Sequence, residues 1–331
     1  MKRDSINKTL QLTILVPCFN VEKYIDQCLR SLQNQTLKNF RVICINDGSE
    51  DNTLNVIRSY VEHDSRFSVL DKKNSGYGDS MNRGLSLVKT KYVGIVESDD
   101  FVDPDMFEVL LKNAKKRQLD ISRCGFYSYY DDNNQVQEDF PFVPKGKVIE
   151  PIKELSVFYQ PPSIWCSIYR LEFLKANNIK FLPTPGASYQ DTSFAFKAYF
   201  KCKRFMMIDR GMLHYRQHAE SSVRSTGKAL AVCTEWDEII KYVSNDKNRF
   251  AAIKGCLADL LNGTYKWNVS RLDPELQYNF IKKWRADIRK LEAHGVNYHP
   301  RGIKKKIENA IFRKSAHLYI KYNRLIDRMR R

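Results

Sequence analysis

The chain has 331 residues, 43% of them apolar, which is enough for one large or two modest domains with a buried core. Its formal charge is +17, and the stretch from Thr226 to Arg331, with 23 Lys and Arg against 11 Asp and Glu, carries +12 of it. A repeat array and a membrane-spanning bundle are excluded, because no internal repeat and no apolar run near ~20 residues occurs. The surplus charge points to a polyanionic partner: nucleic acid, nucleotide phosphates or an anionic membrane face.

In chain order, Leu12–Pro17 predicts a buried strand, and Asn20 is placed to cap a helix over Lys23–Gln35 with apolar residues at Tyr24, Ile25, Cys28, Leu29 and Leu32. Phe40–Ile45 predicts a second strand, the turn Asn46-Asp47-Gly48-Ser49 leads into a helix over Asp51–Tyr60, and Phe67–Leu70 predicts a third strand. A glycine-rich loop, Asn74-Ser75-Gly76-Tyr77-Gly78, precedes a helix from about Ser80 to Val88, and Tyr92–Val96 predicts a fourth strand. Strands alternating with helices in this way give an α/β fold, a mostly parallel sheet with helices on both faces. The polar loops after Pro17, Ile45, Leu70 and Val96 then share the carboxyl edge of the sheet, where such folds bind ligands.

The glycine loop lacks the GxGxxG or GxxxxGK[ST] spacing, which excludes a dinucleotide dehydrogenase and a P-loop enzyme. Glu97-Ser98-Asp99-Asp100 puts three carboxylates in four residues. Such a turn is either a solvated acidic surface or the seat of a hard cation that also holds a diphosphate, Mg²⁺ or Mn²⁺. The eight cysteines are scattered and form no CxxC pair, so neither a zinc site nor a disulfide framework is expected, and a reducing cytoplasm is. The run Leu12–Phe19 starts too late and holds Pro17, so it is not read as a signal peptide.

Together these motifs resemble the family 2 glycosyltransferases, GT-A fold enzymes that build bacterial surface polysaccharides. The residues that carry the resemblance are Val16-Pro17-Cys18-Phe19-Asn20 with Glu22-Lys23-Tyr24, then Leu29–Leu32, Asn34-Gln35-Thr36 and Asn46-Asp47-Gly48-Ser49-Glu50-Asp51. Asn74-x-Gly76, Asn82-x-Gly84 and Glu97-Ser98-Asp99-Asp100 follow in order, with weaker matches at Trp165, Tyr189-Gln190-Asp191 and His214-Tyr215-Arg216. The resemblance, which runs to about Ser222, implies a GT-A domain over residues 1–225; residues 226–331 match no family and are expected, from their charge and apolar spacing, to be a basic helical region. The resemblance also implies an inverting transfer of sugar from a UDP-sugar to a lipid-linked or oligosaccharide acceptor, with Mn²⁺ or Mg²⁺ as cofactor.

By resemblance, Asp191 is the general base and Asp99 holds the metal, with His214 as a further ligand. Pro17, Phe19, Asn20, Glu22, Asp47, Gly76, Asn82 and Ser98 line the nucleotide, Phe19 by stacking and Asp47 by accepting a hydrogen bond from the base. Asp100, Trp165, Gln190 and Arg216 serve the sugar or acceptor. Three departures stand out. Glu97 replaces the family's usual Asp. Met81 replaces an Arg often found before the matching Asn82, so Lys73 or Arg83 is expected to neutralise phosphate. Gln190 replaces a Glu, which by itself leaves the Asp191 pKa lower than in the usual pair.

Each reading has an ordinary counterpart. An Asp just before a helix commonly serves as its N-cap, a lone His after an apolar stretch is commonly structural, and a Trp such as Trp165 commonly sits in the core. Tyr127, Tyr129 and Tyr130 alternate as on a strand and line either the acceptor side or the core. Arg216 and His218 are read on a loop after the apolar stretch. The tail from Pro300 to Arg331 spaces Ile303, Ile307, Ile311, Leu318, Tyr322 and Leu325 helically among Lys and Arg, the pattern either of a helix on an anionic membrane surface or of a helix packed on the body with a solvated basic face. A peripheral place at the inner face of the plasma membrane is expected. Nucleic acid is not, because no recognised binding motif is interleaved with the charge. The competing readings are a nucleic-acid-binding protein using that basic third and an inactive sugar-binding scaffold.

Overall fold

The computed structural model describes residues 10–130, 135–138, 140–217 and 230–330. They fall into two compact units, one through residue 217 and one from residue 230; the boundary expected at 225/226 lies outside the described residues, as does His218.

The first unit is built on one sheet of order β3-β2-β1-β4-β8-β6-β9-β5. Its parallel half is β1 (Leu12–Cys18), β2 (Phe40–Asn46), β3 (Phe67–Asp71) and β4 (Tyr92–Ile95). These are the four expected strands. Every residue of β1 is buried, as a central strand covered on both faces requires, which is why it reads as an unbroken apolar run. Parallel neighbours need crossovers. Here they are α1 (Ile25–Gln33), α2 (Thr53–His63) and α3 (Tyr77–Leu87). Tyr24, not Asn20, occupies the N-cap position of α1, and Asn20 has φ 51°.

The other half is mixed. β8 (Ser167–Arg170) runs antiparallel to β4, and β6 (Ile121–Tyr129) antiparallel to β8. β9 (Phe205–Arg216) runs parallel to β6, while β5 (Phe101–Val102) and β7 (Gln135–Gln137) pair antiparallel with β9 and β6. Arg216, expected on a loop, closes β9. Helices α4 (Met106–Arg117), α5 (Leu171–Ala176) and α6 (Gln190–Lys201) complete the unit. All eight cysteines of the chain are buried free thiols.

Helix α3 begins three residues earlier than expected. Gly76, at φ 91°, turns the chain directly from the loop into the helix, a conformation open to glycine. Two residues on, a Cβ at Gly78 would lie 1.8 Å from the Leu182 carbonyl oxygen and 2.8 Å from its carbon. Both are backbone atoms, so no rotamer change relieves the clash. Gly78→Ala is therefore expected to cost about 3 kcal/mol, at the upper end of overpacking effects. A urea midpoint equal to that of the parent would show that residues 181–186 do not sit this close to α3.

The second unit consists of α7 (Ala231–Ser244), α8 (Lys247–Val269), α9 (Pro274–Ala293), α10 (Ile303–Lys314) and α11 (Ala316–Arg330). Its core is aromatic. The Trp284 ring lies 4.5 Å from Phe312, 5.7 Å from Tyr319 and 6.2 Å from Tyr265, and its indole N–H donates to Asn262 Oδ1 at 2.7 Å. The buried Asp287 accepts from Tyr265 Oη at 2.9 Å and pairs with Lys283, so its charge is answered inside the unit. The tail expected as one helix is two, broken at Ser315, whose backbone is extended (φ −158°, ψ 138°).

Candidate functional site

The loops that follow β1, β2, β3 and β4 meet at the carboxyl edge of the parallel half, as the alternation of elements required. Pro17 lies inside β1, buried and paired with Ile45. Phe19 is the first residue beyond the strand and is 48% exposed, leaving a ring face open. Asn20 and Glu22 do not point toward such a face. Asn20 Oδ1 accepts from the Glu50 amide at 2.8 Å and Glu22 Oε2 from the Asn52 amide at 2.8 Å, while Ser49 Oγ and Asp51 accept from the Asn20 and Glu22 amides. The two loops are laced together by these four bonds, which makes Asn20 and Glu22 braces of the site rather than its lining.

Asp47 is the hub of the next layer. Its carboxylate is buried and accepts from the Ser75 amide at 2.9 Å, the Gly76 amide at 3.0 Å and the Lys72 ammonium. The carboxylate therefore folds the glycine loop around itself. Lys73, the expected phosphate neutraliser, is exposed, and it is Lys72 that turns in, against Asp47 and Ser75 Oγ with Asp79 at 3.6 Å. Arg83 lies on the outer side of α3 and donates to Asp79 Oδ2 at 2.8 Å. Nothing in the sequence distinguishes Lys72 from Lys73; strand register decides it.

The acidic turn is locked from two sides. Tyr77 Oη donates to Glu97 Oε1 at 2.7 Å, and the Tyr77 amide donates to the Gly186 carbonyl at 3.0 Å. The longer arm of Glu97, compared with Asp, is what reaches the phenol. Burial, together with the charges of Asp99 and Asp191, pushes the Glu97 carboxyl up to about 8. Asp100 is buried, accepts from the Arg216 amide at 2.9 Å and has its other oxygen without a hydrogen-bond partner; burial and then the Asp99 charge hold its pKa well above the carboxylate range. Ser98 is buried as well. Asp99, like Glu97, is half-buried.

Arg216 steers the turn from behind. Its Nε donates to the Asp99 carbonyl at 3.0 Å, its guanidinium bonds Gln27, and the rings of Tyr24 and Tyr129 lie 5.1 and 5.0 Å from it. Caged in this way it positions the backbone that carries Asp99.

Asp191 enters from α6. Tyr189, at φ 66°, occupies the N-cap position, so Asp191 lies in the first turn and is not the cap. Burial pushes its carboxyl up to about 6, against the lowering effect of hydrogen bonds with Thr192. The Glu-to-Gln change beside it therefore does not dominate. Gln190 is turned away, accepting from the Ser188 amide at 2.6 Å and donating to Thr184 Oγ1 at 2.9 Å, and so shapes the loop instead of meeting the sugar. Asn82 likewise clamps Phe181 by both backbone groups, at 2.9 and 3.0 Å.

Two expected site residues lie elsewhere. His214 is stacked on Phe101, and its ring nitrogens face Asp103 Oδ1 at 2.9 Å and Gln135 Oε1 at 2.8 Å, which commits both to protein partners. Trp165 is 8% exposed, stacked on Tyr215 with centroids 5.0 Å apart and edge-on to Phe126, so it is a core ring. Tyr127 and Tyr129 pack against His214 and Phe101, and Tyr130 is exposed. The sequence reading missed Lys72, Gln27 and Tyr77. The last carried a signal, an aromatic residue set between two glycines where backbones approach closely.

The family model for glycosyl transferase family 2 matches residues 13–212, more than half of the chain. The chain belongs to glycosyl transferase family 2. The uncharacterized glycosyltransferase EpsJ of Bacillus subtilis (strain 168) is 30% identical over 214 residues, 63% of this chain. That match spans 62% of EpsJ, so the chain covers less than two thirds of this relative's length. Among solved structures, Staphylococcus aureus TarS 1–349 in complex with UDP-GlcNAc has a TM-score of 0.71 at 21% identity, over 86% of this chain and 83% of that one. The mannosyltransferase PcManGT of Pyrobaculum calidifontis, in complex with GDP-Man and Mn²⁺, has a TM-score of 0.51 at 13% identity, over 94% and 85%. At these identities the likeness is one of fold. The glycosyltransferase GT-A sheet with a helical C-terminal region is the architecture described above.

Among the described residues no group of three or more His, Cys, Asp or Glu side chains is gathered to hold a metal ion alone. A cation of the Mg²⁺ type takes one or two protein carboxylates and draws its other ligands from phosphates and water. A half-buried Asp99, beside Glu97 and Asp100 whose carboxyls are raised first by burial and then by neighbouring charge, is the carboxylate of the turn that fits such a cation.

Proposed function

We propose that the first unit is an inverting glycosyltransferase that moves a sugar from a UDP-sugar to a hydroxyl of a growing bacterial surface glycan. The observation that carries this reading is Tyr77. It ties the acidic turn through Glu97 to the Gly186 loop that leads into Asp191, so the turn, the glycine loop and the base share one edge of the sheet. Asp47 accepts the imide proton of uracil on a lone pair that its loop amides leave, and Phe19 stacks on the ring. Lys72, turned in against Asp47 and Ser75, is the cation that the glycine loop holds for the diphosphate in this reading. Asp99 would hold the Mn²⁺ or Mg²⁺, and the ion would supply positive charge to offset that on the leaving diphosphate.

Asp191 Oδ takes the proton of the acceptor hydroxyl while that oxygen bonds to the anomeric carbon. The bond from that carbon to the β-phosphate oxygen breaks on the opposite face, and its electron pair leaves with UDP. Inversion follows from the two faces. The acceptor is lipid-linked or an oligosaccharide, and the work is placed at the cytoplasmic face of the membrane. Likeness to TarS with UDP-GlcNAc supports uridine as the nucleotide, and PcManGT with Mn²⁺ supports the metal.

Thermal unfolding with UDP, GDP, CDP or TDP, each with and without Mn²⁺, tests the reading. A ligand at 100 times its Kd adds about 2.7 kcal/mol. UDP is expected to raise Tm only with the metal. A shift with GDP instead would overturn the donor, and no shift with any nucleotide would overturn the enzyme.

A further inference from the structure

The second unit presents an apolar face that its own core does not use. On α10, Phe312 points inward onto Trp284, and Glu308, on the same side, accepts from Tyr319 Oη at 3.0 Å and pairs with Lys266. At 100° per residue the side opposite Phe312 carries Ile303 and Ile307, one turn apart, with Ala310 and Lys314. Ile303 is 78% exposed and Ile307 51%. On α11, Tyr319 faces Trp284, while Leu318 and Leu325, two turns apart, are 43% and 56% exposed. Four large aliphatic side chains in 23 residues of sequence are thus left in water.

Their surroundings are cationic. Lys304, Lys305 and Lys306 are exposed within the first turn of α10, Lys314 closes it, and Lys321 and Arg324 are exposed on α11. Glu308, the one acid of α10, is already paired, and Arg313 is paired with Glu292. No helix among the described residues is long and apolar enough to cross a membrane. An apolar stripe flanked by ammonium groups on a helix too polar to insert is matched by one kind of surface, where acyl chains lie just beneath anionic headgroups.

We infer that α10 and α11 dock the protein on an anionic lipid bilayer, with Ile303 and Ile307 entering the acyl boundary and Lys304 and Lys306, which flank that side of α10, lying at the headgroup phosphates. Leu318 and Leu325 extend the contact along α11. A protein partner with an acidic rim shares the charge logic but demands a shaped cleft, whereas single exposed aliphatic side chains set among lysines are accommodated by a fluid surface without complementarity. The inference rests on the second unit alone and stands whatever nucleotide the first unit binds.

Co-sedimentation of the full chain with vesicles decides it. The parent is expected to pellet with phosphatidylcholine vesicles containing phosphatidylglycerol and to stay in solution with phosphatidylcholine alone. Lys304→Gln/Lys306→Gln/Lys314→Gln is expected to bind about 10²-fold more weakly, from ~1 kcal/mol per basic residue at such a surface. Ile303→Ser/Ile307→Ser removes the apolar part and is expected to bind about 10²-fold more weakly while its Tm is unchanged, because both side chains are exposed. High salt should release the isoleucine variant more readily than the parent. Equal binding to both vesicle types, no binding to either, or an isoleucine variant that binds like the parent would each overturn the inference. So would a dimer of the parent that the isoleucine variant abolishes, which would assign the face to a second copy of this chain.

Discussion

Asp191→Asn is expected to lower transfer about 10²–10⁴-fold, the usual contribution of a positioned base, while leaving UDP affinity unchanged. The amide keeps the size of the carboxyl and its place in the first turn of α6 but cannot take a proton. Its effect on stability should have the opposite sign. The folded pKa of Asp191 is raised from 3.8 to about 6 by burial, so folding disfavours the ionised form. The group then costs nothing below pH 4, an increasing amount between pH 4 and 6, and a constant amount above, at most about 3 kcal/mol at 1.36 kcal/mol per unit. Asparagine removes that cost, so the variant should melt higher than the parent at pH 7 and equal to it near pH 3.5. In the parent, transfer should rise tenfold per pH unit up to about 6 and level off above. A variant that loses both activity and stability would make Asp191 a structural residue, and one that retains turnover would remove it from the chemistry.

The distinction matters because the sequence was legible at one level and not at the next. Continuous apolar runs such as Leu12–Cys18 reveal parallel strands, since a strand covered on both faces has no polar side, and with the strands come the four loops and their common edge. The antiparallel half gave weaker signals. β8 has only four residues, and β9 carries Asp209-Arg210-Gly211 through its middle, where its register with β6 shifts. Roles within the loops were less legible still. Asn20, Glu22, Asn82 and Gln190 are the polar residues a ligand would need, yet each is spent on a backbone group of another segment or of its own loop, with Asn82 reaching 99 residues along the chain. Residue type and spacing identify what a side chain is able to bond. Which partner it finds depends on the close approach of segments that only the fold brings together.

Asp47 braces the glycine loop and is the proposed acceptor for uracil, and substitution there should separate the two roles. Asp47→Ala removes the acceptor of the Ser75 and Gly76 amides and strands the Lys72 ammonium, whose side chain is 6% exposed. Removing one partner of a buried pair typically costs 3–5 kcal/mol. Asp79, 3.6 Å from Lys72, keeps part of the charge answered, which puts the expectation at the lower end, about 3 kcal/mol. Replacing Lys72 by Met in the same chain deletes the uncompensated charge, so the double variant should recover most of that loss, because a buried pair exchanged for apolar groups is often neutral. Nucleotide binding should not recover. The hydrogen bond from the uracil imide to the carboxylate is charge-assisted and worth about 1.5–3 kcal/mol, a factor of about 10–10² in UDP affinity. Urea midpoints and UDP titrations on the parent, the two single variants and the double variant complete the cycle. If UDP affinity returns together with stability, Asp47 acts only by holding the glycine loop, and the base is read by another group; if stability stays low in the double variant, the loop amides rather than the ion pair carry the cost.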